Sequence, residues 1–465
     1  MSTAEQGFVW RSQSVFVIVA VGATLSLNDF LTFPEMTVQN GGGAFLFFYV
    51  LFLSLLGVPL LMSELMLGRA TRADPSAAIR IFSERFKASV YWKLNGLAAM
   101  LAAFLIVATL SVIAGWSIAY AIKSAGGGLQ GVDTDTARNQ FDAFIVDAER
   151  MTLWLTLFVI GLVAIVAQPQ RLALERSNLV LVPMMMVLLA MALIAALGSP
   201  GFIDSIRYML YVDFSAIDPH TPILALQRAF YTLALGLGVM LAFGRYLPAE
   251  LPIGYAAGLI VAIDLLFSVF TGISINAFLL STGQSLVLDN QFAFRVMPVV
   301  FEYFGANRLF STAFYLLMTI AAMTTAIALL EAPLTYLQRK TSASRVRCAI
   351  FLGLAVWLCG LGVVLAQSVW NGEGFTLALF IGDEAIRLVN NAGFHDVLIF
   401  VSSHVLQPLV AFFLCLFVAW IVPRETSHEA LGFRRHYCFE IWNYLVRYIV
   451  PVMLLVVILA GFGII

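Results

Sequence analysis

The sequence predicts an all-α polytopic membrane protein of about eleven transmembrane helices. Of its 465 residues, 61% are hydrophobic and only 11% are charged, and the apolar residues gather in runs long enough to cross a bilayer. Two of these runs are interrupted near their middle, at corresponding places in two five-helix halves. That arrangement is typical of transporters built from an inverted repeat. We therefore expect a five-plus-five inverted repeat in which the first and sixth helices are broken.

The predicted spans account for most of the chain. They lie near 13–38, 44–68, 94–123, 152–168, 176–198, 222–247, 253–281, 308–337, 346–367, 396–422 and 441–463. We assign residues 1–465 to one transmembrane domain, with repeats at about 13–198 and 222–422 and an extra helix at 441–463. Between the spans, 282–307 has the pattern of a re-entrant helical hairpin, and 368–395 that of a short amphipathic surface piece.

Basic residues indicate the orientation in the membrane. They cluster in 69–93, 338–347 and 424–447, which lie on one side of the predicted membrane. The positive-inside rule makes that side cytoplasmic. We therefore expect a multi-pass protein of the plasma (inner) membrane, in contact with membrane lipid. Its N-terminus is then cytoplasmic and its C-terminus, after an odd number of spans, extracytoplasmic.

Several classes of function are disfavoured by the composition. A net charge of −1 gives no sign of nucleic-acid binding. The four cysteines form no disulfide framework or metal pair, and the five histidines have no metal-ligand spacing. The apolar spans carry no nucleophile–base constellation, so we do not expect an enzyme. We expect a monomer or a weak homodimer whose partner is a small-molecule substrate.

The first span carries the clearest interruption. Its apolar run stops at residues 22–29, GATLSLND, and resumes at Phe30. A carboxylate and a weak helix at membrane depth are tolerated where protein or a water-filled cavity surrounds them. Broken helices of this kind coordinate ions and substrate in transporters, whereas a glycine-kinked helix with one polar residue facing its neighbours is the plainer interpretation. The sixth span repeats the pattern at residues 232–238, TLALGLG.

The chain resembles the neurotransmitter:sodium symporter family from about residue 10 to residue 463. The most specific motif is NGGGAF, residues 40–45, shortly after Phe33-Pro34. The other residues that carry the resemblance follow in the family's order: Trp10, Gly22, Phe30, Tyr49, Pro59, Glu64, Gly68, Arg69, Trp116, Phe230, Tyr231, Thr232, Leu233, Gly236, Gly238, Thr324, Thr325, Ser402 and Ser403. The resemblance implies sodium-driven alternating access on the predicted fold.

The resemblance also implies a sodium site, sodium site 2, between the first and eighth helices. Its ligands would be backbone oxygens of Gly22, Leu25 and Ala321 and the hydroxyls of Thr324 and Thr325. Na⁺ takes oxygen ligands, and an unwound turn supplies carbonyls that a regular helix cannot spare. The alternative is that the two hydroxyls bond back to their own helix. Beside a broken first helix, the sodium interpretation is favoured.

A second candidate cation site, site 1, departs from the family pattern. The resemblance puts it at Thr24, Asp29, Thr232 and Asp264, where both aspartates replace asparagines. In the neighbouring chloride region, Arg228 replaces a glutamine and Ser268 lies at the serine position. Three hypotheses follow, because buried charges need compensation. In the first, Arg228 pairs with Asp264 and takes over the charge-balancing role of chloride. In the second, the two aspartates hold a cation, either Na⁺ or a cationic group of the substrate. In the third, one of the aspartates carries a proton. A permanent salt bridge without a transport role is the structural alternative.

The resemblance further implies a substrate pocket. Its lining would be Ser26, Leu27, Asn28, Asp29, Ile106, Leu110, Tyr231, Leu237, Thr325 and Leu329. Leu110 replaces the tyrosine that holds the substrate carboxylate in the family. An α-amino acid is the family default, but an amine, an organic cation, or a zwitterion whose anion is held by Arg228 remain open.

Both charged gates of the family are changed. Thr32 replaces the outer-gate arginine, and Ile399 lies near the position of its acidic partner. The inner-gate arginine is absent unless Arg11 substitutes, and Arg339 replaces its acidic partner.

These features together favour a sodium-coupled symporter that imports a small amino acid or an amino-acid-like or amine solute without chloride. The alternatives are a proton-coupled carrier, a channel or uncoupled carrier, and a non-transporting sensor or scaffold on the same fold.

Overall fold

The described part of the chain is built mainly of long apolar helices, with nine or ten candidate membrane spans against the eleven predicted. The structure, a computed structural model, describes residues 8–214, 217–248, 250–283, 291–304, 308–370, 374–381, 384–433 and 435–465. In these ranges nine helices are long and apolar enough to cross a membrane, and a tenth unit, residues 13–39, is bent by 57° at a short break. The interrupted segment 221–244 completes the set. The predicted helical class, with broken first and sixth helices, is confirmed.

The helices are numbered in chain order. The first broken span is α1 (Gln13–Thr24) with α2 (Asn28–Gln39), and the second is α10 (Thr221–Thr232) with α11 (Val239–Gly244). The continuous spans are α3 (Gly43–Thr71), α5 (Val90–Ala125), α7 (Ala148–Val166), α8 (Arg171–Leu197), α12 (Ile253–Thr282), α15 (Arg308–Thr341), α16 (Arg345–Gln367), α17 (Phe394–Trp420) and α19 (His436–Gly461). Shorter helices connect them: α4 (Pro75–Arg85), α6 (Thr134–Ile145), α9 (Phe202–Leu210), α13 (Phe292–Arg295), α14 (Met297–Tyr303) and α18 (Arg424–Leu431).

The break between α1 and α2 is held open by the side chain of Asp29. In a continuous helix the Ser26 amide would bond to the Gly22 carbonyl, and the Asp29 amide to the Leu25 carbonyl. Instead the Ser26 amide donates to Asp29 Oδ2 (2.8 Å), and the Asp29 amide donates to the Ser26 carbonyl (3.1 Å). The carbonyl oxygens of Gly22 and Leu25 are therefore released from the helix.

The break between α10 and α11 depends on left-handed backbone conformations. Ala234 and Gly236 have φ angles of 51° and 76°, in the region that glycine favours. A Cβ on Gly236 would lie 2.4 Å from the Gln407 carbonyl oxygen. Two buried side chains bind the unwound segment. Glu64 Oε1 accepts a hydrogen bond from the Gly236 amide (2.7 Å), and Gln407 Nε2 donates one to the Leu235 carbonyl (3.0 Å). Peptide groups freed by the break are thus satisfied by α3 and α17.

Helix α15 lies at the centre of the bundle. In its most apolar 18-residue window 83% of the residues are buried, against 33% in α7 and 22% in α8. It packs along α5 and against α1, α8 and α16. The outer helices carry exposed apolar side chains such as Ile160, Ile194 and Leu354, as expected for residues that contact lipid.

A β-hairpin adds to the predicted helices. Strands β1 (Phe375–Ile381) and β2 (Glu384–Ala392) pair antiparallel, with Ile381 opposite Glu384. The sequence analysis predicted only an amphipathic piece here, although strand-forming residues on both sides of a Gly-Asp pair are typical of a hairpin. In the predicted re-entrant hairpin the structure has α13 and α14, while residues 284–290 and 305–307 of that segment lie outside the described residues.

Candidate substrate and ion site

The two helix breaks face a common cavity of about 310 Å³. Residues of α1, α2, α5, α10, α15 and α17 line it together with the two unwound segments. The lining residues are Ala23, Thr24, Ser26, Asn28, Thr32, Met36, Ile106, Gln227, Arg228, Tyr231, Thr232, Ala234, Leu237, Thr325, Leu329, Ile399, Ser403, His404 and Gln407. A largely apolar cavity with a few convergent polar groups is the usual form of a small-molecule site.

Most of the predicted pocket residues lie on this cavity. Its lining includes Ser26, Asn28, Ile106, Tyr231, Leu237, Thr325 and Leu329. It does not include Leu27, Asp29 or Leu110, and the first two are 2% and 0% exposed. The sequence analysis did not predict the four polar lining residues Gln227, Ser403, His404 and Gln407. For the last three, the available signal was a group of polar residues in an otherwise apolar span.

The predicted ligands of sodium site 2 lie where α1 contacts α15. The Thr325 hydroxyl donates a hydrogen bond to the Leu25 carbonyl (3.0 Å), one of the two carbonyls released by the break. The Thr324 hydroxyl bonds back to the Ala321 carbonyl (3.0 Å). All four residues are buried. The oxygen atoms predicted to bind sodium are therefore buried, and they come from α15 and from the end of α1, which are in direct contact.

Gly22, the fifth predicted ligand, lies where α1 meets α8. A Cβ at this position would be 2.6 Å from Asn178 Oδ1 and 2.8 Å from a methyl group of Val182. Asn178 Oδ1 is itself buried without a hydrogen-bond partner in the described part of the chain. A side chain at this position would therefore require Asn178 and Val182 to move.

Asp29 is fully engaged by protein groups. Besides the Ser26 amide on Oδ2, its Oδ1 accepts hydrogen bonds from Ser268 Oγ (2.9 Å) and from the Arg228 guanidinium. Asp29 and Arg228 form a buried ion pair, with side chains 0% and 3% exposed. Of the three hypotheses for these charges, the pairing of Arg228 with Asp264 is therefore wrong. The bend after α1 carries Asp29 to Arg228, and the sequence pattern does not show that proximity.

Asp264 keeps one carboxylate oxygen without a partner. Its Oδ2 accepts a hydrogen bond from Thr232 Oγ1 (3.0 Å), whereas its Oδ1 has no partner among the described residues. Thr24 lies beside the same carboxylate, and the Asp29–Arg228 pair is close enough to interact with it electrostatically. Thr24, Thr232 and Asp264 thus form a cluster next to the Asp29–Arg228 ion pair, and no cationic side chain of the described residues is hydrogen-bonded to the Asp264 carboxylate.

The end of the bundle near Trp10 is closed by a network centred on Glu331 of α15. The Glu331 carboxylate is 1% exposed and accepts hydrogen bonds from Arg345 (2.8 Å), the Tyr246 hydroxyl (3.1 Å) and Gln170 (3.4 Å). The Trp10 amide donates to the Tyr246 carbonyl (3.1 Å). This network joins the N-terminal segment to α15, α16, Gln170 before α8 and Tyr246, two residues after α11.

The two arginines considered for the inner gate have other partners. Arg339 forms an ion pair with Asp74 (2.5 Å), the residue that caps α4, and Arg11 pairs with Glu175 of α8 (3.4 Å). Both acids are 2% exposed. This end of the bundle therefore has ion pairs, but their members are not the arginine and acidic residue of the family's inner gate.

Comparisons with known proteins agree with this geometry. The model of the sodium:neurotransmitter symporter family matches residues 8–143 and 145–463. The chain is 28% identical to the sodium-dependent transporter YhdH of Bacillus subtilis over 463 residues, and 28% identical to a sodium-dependent transporter of Haemophilus influenzae over 465 residues. In both cases 98% of each chain is covered. The crystal structure of MhsT in complex with L-phenylalanine superposes with a TM-score of 0.83 at 29% identity, covering 97% of this chain and 99% of MhsT. The chain therefore belongs to the sodium:neurotransmitter symporter family.

Proposed function

We propose that the protein is a sodium-coupled symporter that imports a small amino acid, or an amino-acid-like or amine solute, by alternating access. The observation that carries this proposal is the hydrogen bond from the Thr325 hydroxyl to the Leu25 carbonyl. It shows that the break after α1, where carbonyl oxygens are released from the helix, lies directly against α15. The similarity to two sodium-dependent transporters and the phenylalanine bound to MhsT support the same function.

Sodium at site 2 would bind α1 to α15. The carbonyls of Gly22 and Leu25 and the hydroxyls of Thr324 and Thr325 offer oxygens from both elements. When the ion leaves, these oxygens lose the charge that holds them together, so α1 is free to move against α15. Ion binding and helix position are coupled in this way, as a symporter requires.

The cation of site 1 is assigned to Asp264 with Thr232 and Thr24. The oxygens of Asp29 already accept hydrogen bonds from Ser26, Ser268 and Arg228, whereas Asp264 Oδ1 is unpartnered. An isolated buried carboxylate is costly, and a bound cation removes that cost. The same fixed negative charge offsets the ions that enter the site, so transport needs no chloride.

Replacing Asp264 with Asn tests the chloride assignment. Sodium should stabilise the wild-type protein equally in chloride and in gluconate, whereas Asp264→Asn should respond to sodium only in chloride. Melting temperatures of the purified protein in the two salts would measure this. A wild-type sodium response that disappears in gluconate would contradict chloride independence.

The sodium assignment is tested by thermal stability in Na⁺ against K⁺ or choline. A ligand that binds only the folded state raises the melting temperature by mass action, so we expect a higher midpoint in Na⁺. The double variant Thr324→Ala/Thr325→Ala should lose most of that shift. Thr335→Ala is the matched control, because Thr335 is buried on the same helix and bonds back to Glu331 and Ala332. An unchanged sodium shift in the double variant would remove site 2 from the proposal.

Proton coupling is the second candidate, favoured by the unpartnered oxygen of Asp264. It would replace sodium coupling if Na⁺ left the midpoint unchanged while an inward proton gradient drove solute into sealed vesicles. Binding without accumulation under either gradient would indicate a sensor or scaffold instead.

We further propose a plasma-membrane location with the Trp10 end cytoplasmic and the C-terminus outside, in a monomer or weak homodimer.

A further inference from the structure

We propose that the substrate carries an anionic group and that Arg228 binds it. This inference deepens the proposed function, on which it rests, by naming the chemistry that the cavity selects. It excludes amines and organic cations that lack an anion, which the sequence left open.

Arg228 is the one formally charged residue among the described residues that line the cavity. Its side chain is 3% exposed and held in place by Asp29 and by the Phe33 ring, whose centroid is 5.5 Å from Cζ. A guanidinium has five N–H donors in a fixed planar arrangement. Asp29 takes a hydrogen bond from Nη2, and Nε is buried without a partner among the described residues, so a solute would meet the remaining donors of Arg228, which lines the cavity. A fixed guanidinium at the cavity wall with unused donors is suited to a carboxylate or sulfonate.

The two acidic groups of the site do not face the solute. Asp29 and Asp264 are both 0% exposed and absent from the cavity lining. A solute with a positive group but no anion would meet a guanidinium and no carboxylate, and that arrangement disfavours binding. Leu110, at the position of the family's carboxylate-binding tyrosine, has no hydroxyl to offer an anion. Among the described lining residues, Arg228 is left as the charged donor.

The charge balance explains how sodium would favour the anion. With Asp264 ionised, the side chains of Asp29, Asp264 and Arg228 carry one net negative charge, which repels an anion while the ion sites are empty. One Na⁺ neutralises this charge, and a second makes the region positive. The anion should therefore bind tightly only after sodium, which is the order that coupled transport needs.

The rest of the cavity is suited to a largely apolar solute with a polar group. Ile106, Leu237 and Leu329 supply an apolar wall. Tyr231 and His404 also line the cavity, and the Tyr231 hydroxyl and His404 Nδ1 are buried without hydrogen-bond partners among the described residues. Matched probes should therefore pair an apolar body with or without the anion.

The test measures melting temperatures of the purified full-length protein with probe pairs of which only one member carries an anion. The pairs are L-phenylalanine with phenethylamine, L-leucine with 3-methylbutylamine, glycine betaine with choline, and taurine with ethylamine. We expect stabilisation by at least one anion-bearing member, in Na⁺ and not in K⁺, and none by its partner. Stabilisation by an amine or choline equal to that by its anionic partner overturns the inference. So does a panel in which no anionic member binds while Na⁺ itself shifts the midpoint, and that last outcome leaves the sodium symporter proposal standing.

Variants then locate the anion. Asp29→Asn/Arg228→Gln removes both charges of the pair and keeps the net charge of the site. We expect the affinity for the anionic probe to fall roughly tenfold or more, as for the loss of a hydrogen bond to a charged group, while the sodium shift remains. Arg228→Lys should bind the probe with intermediate affinity, since it keeps the charge but loses the planar fork. Unchanged affinity in the double variant would exclude Arg228, and Arg424→Gln, at an exposed ion pair, is the control.

Discussion

Asp29 on α2 and Asp264 on α12 are both completely buried, but protein groups bind them to different extents. Asp29 accepts hydrogen bonds from Ser26, Ser268 and Arg228, and it opens the first helix break. Asp264 accepts one from Thr232 and keeps its Oδ1 free. We therefore assign a structural role to Asp29 and an ion-binding role to Asp264.

Asp29→Asn should destabilise the protein strongly, because it leaves the guanidinium of Arg228 buried without a counter-charge. Breaking a buried pair by removing one partner typically costs about 3–5 kcal/mol. Asp29→Asn/Arg228→Gln removes both charges and should recover much of the loss. Denaturant midpoints of the two variants in detergent would measure the difference. Equal midpoints would mean that the pair does not stabilise the fold.

At the level of secondary structure elements, the unwound segment between α10 and α11 is bound from two sides. Glu64 of α3 takes the Gly236 amide, and Gln407 of α17 takes the Leu235 carbonyl. The break is therefore a fixed part of the fold, in which backbone groups that would be unsatisfied in the membrane have designated partners.

Gly236→Ala should damage this segment more than its backbone conformation alone explains. Its positive φ costs an alanine roughly 1–2 kcal/mol, and the contact with the Gln407 carbonyl adds to that. Gly432→Ala is the control, since Gly432 has a φ of 66° and open space around the position of a Cβ. Melting temperatures and solute binding should fall further in Gly236→Ala. Equal losses in the two variants would show that the close approach does not matter.

The sequence was informative about local features and less so about long-range partners. Glycines and polar residues in apolar runs predicted both breaks, because weak helix formers at membrane depth have a local signature. The resemblance supplied Leu25 and Thr325, which do meet. The Arg228–Asp29 pair and the contact of Gln407 with Leu235 were not predictable, since their members are 199 and 172 residues apart. The hairpin at 375–392 was missed because an amphipathic pattern alone does not decide between helix and strand.

In the whole molecule, the network around Glu331 closes the Trp10 end while the cavity lies between the helix breaks. The Glu331 carboxylate contacts Arg345, Tyr246 and Gln170 and so connects α15 to three other segments. Tyr246 in turn accepts a hydrogen bond from the Trp10 amide, which ties the N-terminal segment to the same network. In the proposed alternating access, opening of this end requires that these contacts separate. Stability at this end is therefore expected to control how often the protein opens there.

Glu331→Gln should loosen the Trp10 end. The variant keeps the shape of the side chain but leaves Arg345, 10% exposed, without its counter-charge. We expect faster hydrogen–deuterium exchange in residues 8–20 and 241–247, with little change in α6. Arg424→Gln, which disrupts an exposed ion pair with Glu440, is the control. Unchanged exchange in both peptides would mean that Glu331 does not hold this end closed.

The contact between Gln407 and Leu235 also has a consequence for biogenesis. The chain is synthesised from the N-terminus, so α10 and α11 enter the membrane long before residue 407, which lies 172 positions after Leu235, leaves the ribosome. Until then the carbonyl that Gln407 will bind has no permanent donor from α17. The cavity needs this segment in its final shape and is therefore completed only after α17 has been inserted. A nascent chain that ends before α17 should not bind solute.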